Sequence, residues 1–384
     1  MQRYYFDHNA TTPVSPEVLE VLVPALLEVY GNASSIHHYG QLAKQQLEIA
    51  RRQTAALIHC DPNEIVFTSG GTESDNLAIL GAVRERPGHV VTTAIEHPAV
   101  LSSCAQLERE GFPVTFVPVG PDGVVDPDDI HRALRPDTSL ISVMHANNET
   151  GAIQPVREIA RIAQEAGTLM HVDGVQAAGR IAVDVKDLDA DLYSISGHKL
   201  GAPKGIGALY VRKGTKLRPV LFGGRHERDR RAGTENVPGA VAIGRAADWT
   251  RENLAEETAR LAELRDRLER GIIDRVPSAG VNGARAHRIP NTTNIYFDGI
   301  EGEAIVISLD LKGFAVSSGS ACSSGAVEPS HVLLAMGLQR DRAKSSLRFS
   351  LGRENTREHV EALIDAVAES VAHLRKLSPT YAHA

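Results

Sequence analysis

The chain is poor in cysteine. Only Cys60, Cys104 and Cys322 occur among 384 residues, far apart and with no C-x-x-C pair, which argues against a disulfide framework or a self-contained zinc site and leaves any cysteine chemistry to single thiols. A basic excess is also missing. Lys and Arg total 41 against 48 Asp and Glu, a net charge of −7, so a polyanion partner is disfavoured. No apolar run is long enough to cross a bilayer, and the opening MQRYYFDHNATTP lacks the apolar core of a signal peptide; the expected location is cytoplasmic. What is present is an ordinary globular composition, 42% hydrophobic and 23% charged. It holds enough apolar material for one large core or two smaller ones, which argues against disorder.

Between residues 64 and 211 the β-rich runs EIVF, HVVTT, VTFVPV, LISVM, TLMHVD, DLYSIS and GALYV alternate with helical patterns such as 98–110 and 156–166. The alternation predicts an α/β fold, with a mainly parallel seven-stranded sheet between helices and ligands gathering at the strand C-terminal ends. Ahead of it, Ser15-Pro16-Glu17 predicts an N-cap, a proline at the first helical position and an acidic first turn, followed by an apolar stripe at Val18, Leu22, Ala25, Leu26 and Val29. After Pro238 a charged helical pattern through Ala246, Leu254, Leu261, Leu264 and Leu268 leads into less regular elements. The expected division is a large domain over 13–257 and a smaller α+β domain made of 1–12 and 258–384, sharing an interface near Glu257. The Gly/Ser-rich stretch 317–325 reads as a mobile loop of the small domain.

Three places suggest chemistry. In EIVFTSGGTESDNLAIL, Gly70, Gly71 and Thr72 lie between a strand and a helix, where unpaired backbone N–H groups and the helix dipole can receive a phosphate; a plain turn capped by Thr72 or Ser69 would look similar. In LYSISGHKLGAPKGIGALYV, Lys199 follows an apolar strand. A lysine shielded from water has a depressed pKa and can form a Schiff base with an aldehyde, although most lysines near strand ends are simply solvated. In TLMHVDGVQ, Asp173 ends another buried strand and requires a cationic partner, a role that a protonated pyridine nitrogen would fill.

Together HVDGVQ, SGHKLGAPKGIGALYV, RRAGTEN and SSGSACSSG closely resemble cysteine desulfurases of the nitrogen-fixation and general iron–sulfur assembly group, over nearly the whole chain from YFDHNATTP to RFSLGR. The resemblance implies the fold-type I architecture of pyridoxal 5'-phosphate (PLP) enzymes, a homodimer with shared active sites, and L-cysteine as substrate. On that resemblance Lys199 carries PLP as a Schiff base and shuttles the Cα proton, Asp173 holds the pyridinium proton, and Gln176 bonds the phenolic oxygen. Gly71, Thr72, Ser196 and His198 belong to the phosphate subsite, with Thr234 reaching it from the neighbouring subunit. His97 stacks on the ring as a catalytic acid/base candidate, and read without the motifs it is a capping or core histidine. Asn148, which also borders the cofactor, and Arg348 hold the substrate carboxylate.

The same resemblance makes Cys322 the nucleophile that takes the substrate's sulfur as a persulfide, releases L-alanine and delivers the sulfur to an iron–sulfur scaffold protein or another acceptor. Any metal ligation falls to Cys322 and only during cluster assembly. Cys60 and Cys104 read as small buried hydrophobes. His37, His38, Asp7 and His8 match no compact zinc pattern and are expected to line the cleft or cap helices, while GGRHERDRRAGTEN fits a dimer-contact loop better than a polyanion groove. Relatives often carry alanine and proline where this chain has Gly71 and Ala33. The ending LSPTYAHA lacks the longer tail with which general assembly enzymes dock their scaffold, which leaves the acceptor open. An aminotransferase or a selenocysteine lyase would share Lys199, Asp173 and His97, and a non-catalytic PLP-fold binding module is the alternative outside enzymes.

Overall fold

The computed structural model describes residues 2–318, 322–323 and 326–377. The chain starts with strand β1 (Tyr4–Tyr5) and helices α1 (Pro16–Glu28) and α2 (His38–Leu57). The predicted alternation follows: β2 (Ile65–Thr68), α3 (Gly71–Glu85), β3 (His89–Thr93), α4 (Pro98–Arg109), β4 (Val114–Val117), α5 (Pro127–Ala133), β5 (Thr138–Met144), α6 (Val156–Glu165), β6 (Leu169–Asp173), β7 (Leu192–Ser196) and β8 (Gly207–Val211). These strands form one seven-stranded sheet ordered β2-β8-β7-β6-β5-β3-β4. β8 alone runs opposite to the other six strands.

The central strands read as unbroken apolar or hydroxyl-bearing runs because both faces are covered. Alternate residues point to opposite sides. Ile65, Phe67, Val143, Val172 and Ile195 pack toward Leu47 of α2 and Ile159 of α6, whereas Val66, Val90, Leu140 and Leu209 pack toward Leu77 of α3 and Val100 of α4. On α1, Val18 and Ala25 are buried as the stripe predicts, but Leu26 is 58% exposed. Leu19, Val23 and Leu27 are exposed beside it. Pro16 stands at the first helical turn, and Ser15 occupies the N-cap without a side-chain capping bond.

Helix α7 (Val237–Arg275) leaves this sheet and reaches a second group of elements. Its first half, through Ala247, packs with the large sheet's core; Leu261, Leu264, Leu268 and Ile272 pack in a separate apolar cluster with Ile295, Phe349 and Leu363. The second group comprises β9 (Ala279–Val281), β10 (Thr292–Phe297), α8 (Gly302–Leu311), β11 (Phe314–Ala315), β12 (Cys322–Ser323), β13 (Ala326–Val327), α9 (His331–Ala335), α10 (Arg340–Lys344), β14 (Ser346–Ser350) and α11 (Arg357–Leu377). An antiparallel sheet β14-β10-β9 is its centre, and β1 returns to pair with β11. The N-terminal segment therefore runs alongside β14, with Asp7 bridged in parallel to Ser350.

Charge inside the large unit fixes the edge of the sheet that leads into the glycine turn. Arg51 of α2 donates from Nη1 and Nη2 to the two carboxylate oxygens of Glu227, at 2.8 Å each, and from Nη1 to the Ile65 carbonyl at 2.8 Å. The Phe67 amide donates to Glu227 Oε2 at 3.0 Å. Edge strand β2 is thus clamped by a buried ion pair whose acid comes from the arginine-rich loop. Glu227→Ala would strand the guanidinium in the interior and should cost about 3–5 kcal/mol of unfolding free energy. Chemical denaturation measures this, and a loss below about 1 kcal/mol would show that β2 does not depend on the clamp.

Candidate active site

The C-terminal ends of β2, β3, β6 and β7 open onto a cavity of about 340 Å³ that β14 borders through Arg348. This is where an α/β sheet is expected to hold its ligand. Ten of the residues singled out from the sequence line it: Gly71, Thr72, His97, Asn148, Asp173, Gln176, Ser196, His198, Lys199 and Arg348. Thr234 is exposed and outside the lining. The backbone of Cys322 pairs with Val327 in a two-stranded ribbon; its side chain lies outside the described residues, as do 319–321 and 324–325 of the predicted mobile loop.

Lys199 ends a short 3-10 turn after β7, in which the Leu200 amide returns to the Gly197 carbonyl. Its Nζ donates to the carbonyl oxygens of Asn9 and, at 2.7 Å, Ala10. Burial, followed by the positive charges of Arg180 and Arg348, pushes its pKa down to about 7. Near neutrality a large share of this amine is therefore unprotonated and nucleophilic, unlike a surface lysine.

Asp173 occupies the last position of β6 and is 5% exposed. One carboxylate oxygen accepts from the Val175 amide at 3.0 Å, and among the described residues no cation stands at ion-pair distance. Burial raises its pKa. A buried carboxylate facing a cavity in this way is a receptor for a cationic or N–H group of a ligand.

At the glycine turn, conformation constrains Gly70 and the neighbouring Val175 side chain crowds Gly71. Gly70, the N-cap of α3, adopts φ 154° and ψ −176°, a region open essentially to glycine. A Cβ on Gly71 would fall 2.8 Å from Val175 Cγ2 and 3.5 Å from Ser196 Cβ. Helix α3 therefore begins at Gly71 without a side-chain cap, and Gly71, Thr72 and Ser196 line the same cavity, an arrangement suited to a phosphate. His198, whose Nδ1 lies 3.1 Å from Thr11 Oγ1, is held to a pKa of about 4 by burial and by Lys199 and Lys204, so it is neutral. Gln176 donates to the Asn9 carbonyl at 3.0 Å while its own carboxamide oxygen is buried without a partner. A ring with a cationic nitrogen, a hydroxyl and a phosphate arm meets a complement for each at this site.

His97 is both a cap and a cavity residue. Its Nδ1 accepts from the Ala99 amide at 3.1 Å at the start of α4, which leaves the proton on Nε2 and makes that edge a hydrogen-bond donor. Burial lowers its pKa, with Asp173 opposing and Lys199 and His331 assisting. Arg348 is 6% exposed; its Nη2 pairs with Asp7 at 2.7 Å and its Nη1 donates to the Asn148 carbonyl at 3.1 Å. Its Nε has no partner. Cys60 and Cys104 are inert by comparison, both pushed by burial to about 12. His37 caps α2 through Nδ1, His8 is buried, and Asp7 is committed to Arg348; no group of His, Cys, Asp and Glu suited to a metal ion occurs among the described residues.

Several contributors escaped the sequence reading. Asn9 is a hub: its carbonyl receives both Lys199 and Gln176, and its side chain donates to the Asn148 carbonyl at 3.0 Å and to Thr292 Oγ1 at 2.8 Å. Asp75, fully buried, adds a second carboxyl to the cavity wall, 3.6 Å from His171. Its position was legible in principle, since it follows Gly71 by four residues and so lies on the same face of α3.

An amine of depressed pKa that shares one cavity with a buried carboxylate and a glycine turn is the equipment of an enzyme that tethers an aldehyde cofactor. The model of the aminotransferase class-V family matches residues 4–363. A protein named cysteine desulfurase from Trichormus azollae is 49% identical over 381 residues, covering 99% of this chain and 95% of its own. Among solved structures, a NifS-like protein superposes with a TM-score of 0.91 at 38% identity, covering 97% of this chain and all of its own, and SspA in complex with cysteine does so at 0.81 and 36%, covering 90% and 98%. The chain belongs to the class-V aminotransferase family, within its cysteine desulfurases. Its cofactor is PLP bound to a lysine, as in that family.

The depressed pKa of Lys199 has a direct consequence. In cofactor-free protein the acetylation rate of Lys199, followed by mass spectrometry of its peptide, should rise through a midpoint at about pH 7 and level off above it. A midpoint near the ordinary 10.5 would contradict the buried placement of the amine.

Proposed function

We propose that this chain removes sulfur from L-cysteine with PLP carried on Lys199, giving L-alanine and a persulfide on Cys322. The observation that supports this best is the shared cavity of Lys199 and Asp173 beside the glycine turn. Bound PLP supplies an electron sink for the electrons released at the substrate's Cα and thereby lets the Cβ–S bond be cleaved. Asp173 would face the pyridine nitrogen, Gln176 the phenolic oxygen, and Gly71, Thr72, Ser196 and His198 the phosphate. Asn148 and Arg348 would hold the substrate carboxylate, for which the bidentate guanidinium is suited. His97 would lie over the ring and donate a hydrogen bond from Nε2. Lys199, the residue that would carry the cofactor, would also be the base that takes the Cα proton, its amine being largely unprotonated near neutrality.

Sulfur leaves by nucleophilic attack at sulfur. The Cys322 thiolate forms an S–S bond to the substrate's Sγ while the Cβ–S bond breaks, its electron pair stays with the carbon skeleton, and protonation there completes alanine. No external oxidant or reductant enters this step. The persulfide is then handed to an iron–sulfur scaffold protein or another thiol acceptor, with cluster ligation by Cys322 confined to that handover. No helix among the described residues is long and apolar enough to cross a membrane, which fits a cytoplasmic setting.

The exposed apolar face of α1, with Phe222 85% exposed on the loop that leads to Thr234, supports a homodimer in which Thr234 completes the partner's phosphate subsite. The two apolar clusters along α7 support a large domain over 13–257 and a small one of 1–12 and 258–384. Cys322→Ala should lower sulfur transfer from cysteine to a thiol acceptor by about 100-fold or more while preserving the visible absorbance of bound PLP. Wild type exposed briefly to cysteine without reductant should gain one sulfur on the Cys322 peptide. Unchanged turnover in the variant would favour an aminotransferase-like or thiol-independent lyase reading.

A further inference from the structure

Lys199 also borders a second, smaller cavity of about 90 Å³, shared with His8 and Arg180. Both of these neighbours hold a buried nitrogen without a hydrogen-bond partner, Nε of Arg180 and Nε2 of His8. Arg180 follows β6 by seven residues and is 9% exposed. Its guanidinium donates to the His8 carbonyl at 3.4 Å, and among the described residues no carboxylate lies at ion-pair distance. Other buried arginines of the chain are satisfied differently: Arg51 by Glu227, Arg348 by Asp7, and Arg375 by the carbonyls of Pro277, Ser278 and Asp298. An uncompensated buried charge is costly to the fold, so a neutral side chain of similar length would serve packing better.

We infer that Arg180 is a positioning residue for Lys199, whose un-neutralised charge keeps the neighbouring amine unprotonated and ready to receive the cofactor aldehyde. The inference rests on Lys199 being the cofactor-bearing residue. The charges around the amine leave this task to Arg180. Arg348, the other guanidinium nearby, is paired with Asp7, which offsets much of its effect. Asp173 and Asp7 favour the protonated amine. His97 and His198, which also face Lys199, are both held below the ordinary histidine range and so add little charge.

The surroundings of Arg180 itself do not cancel it. His8 is held to about 3 by burial and by Arg180, and is neutral. Of the two acids on the small cavity's wall, Glu257 is bonded to Arg260 and Glu354 is 54% exposed, 3.9 Å from His8. Burial and Arg348 lower the pKa of Arg180 only to about 10, so it stays charged wherever the enzyme works. After burial, Arg180 is the largest influence that depresses the Lys199 amine.

The test uses cofactor-free wild type, Arg180→Gln and Arg180→Lys, each confirmed folded by its thermal melt, with Lys199 acetylation followed by mass spectrometry across pH. Arg180→Gln should move the midpoint upward by about one unit, so that labelling well below the midpoint falls roughly tenfold. Arg180→Lys keeps the charge and should restore the wild-type profile. Arg180→Met, a second neutral variant, should shift like Arg180→Gln and replaces it where the amide disturbs folding. An unmoved midpoint in the neutral variants, or a midpoint in Arg180→Lys that follows them, would overturn the inference. A wild-type protein that takes up PLP at a residue other than Lys199 would instead refute the assignment on which the inference rests.

Discussion

A half-buried amine and a buried carboxylate, neither with an opposite charge at contact distance among the described residues, face one cavity at the ends of adjacent parallel strands. Neither arrangement is favourable for the empty fold: desolvation drives Lys199 toward its neutral form and Asp173 toward its protonated form. A ligand that offers an aldehyde to one and a ring nitrogen to the other relieves both. The site is thus pre-organised for its cofactor by what it withholds, an opposite charge at contact distance from either group among the described residues.

Two features of the fold accomplish this. The sheet places Asp173, the Lys199 turn and the Gly70 turn at neighbouring strand ends, with β2 clamped from behind by the Arg51–Glu227 pair. The N-terminal segment then crosses from the small antiparallel sheet to the large one, and the carbonyls of Asn9 and Ala10 cover the amine. Because Asn9 also bonds Gln176, Asn148 and Thr292, cofactor contacts and substrate-facing residues share a single backbone anchor. A shift of the small unit against the large one would be felt at Lys199.

The strand order of chemistry was largely legible in the sequence. Unbroken apolar runs marked the strands of the large sheet, and the glycine turn, Lys199 and Asp173 stood where strand ends must bring residues together. What escaped notice had physical reasons. Glu227 sits in an arginine-rich run that reads as a dimer-contact loop, yet a left-handed turn brings it inward onto Arg51. Asn9 acts mainly through its carbonyl, a group every residue possesses, so no side-chain pattern announces it. Arg180 matters through the partner it lacks, which only the packed structure reveals. Leu26 was expected in the core, but α1 turns a broader apolar face outward than one stripe requires, as a helix does when another surface is to cover it.

The central claim is chemical and can be tested at one atom. Reduction of the PLP-loaded protein with borohydride, followed by proteolysis and mass spectrometry, should place the pyridoxyl group on the Lys199 peptide alone. A pyridoxyl group on another lysine, or none on the protein at all, would contradict the account.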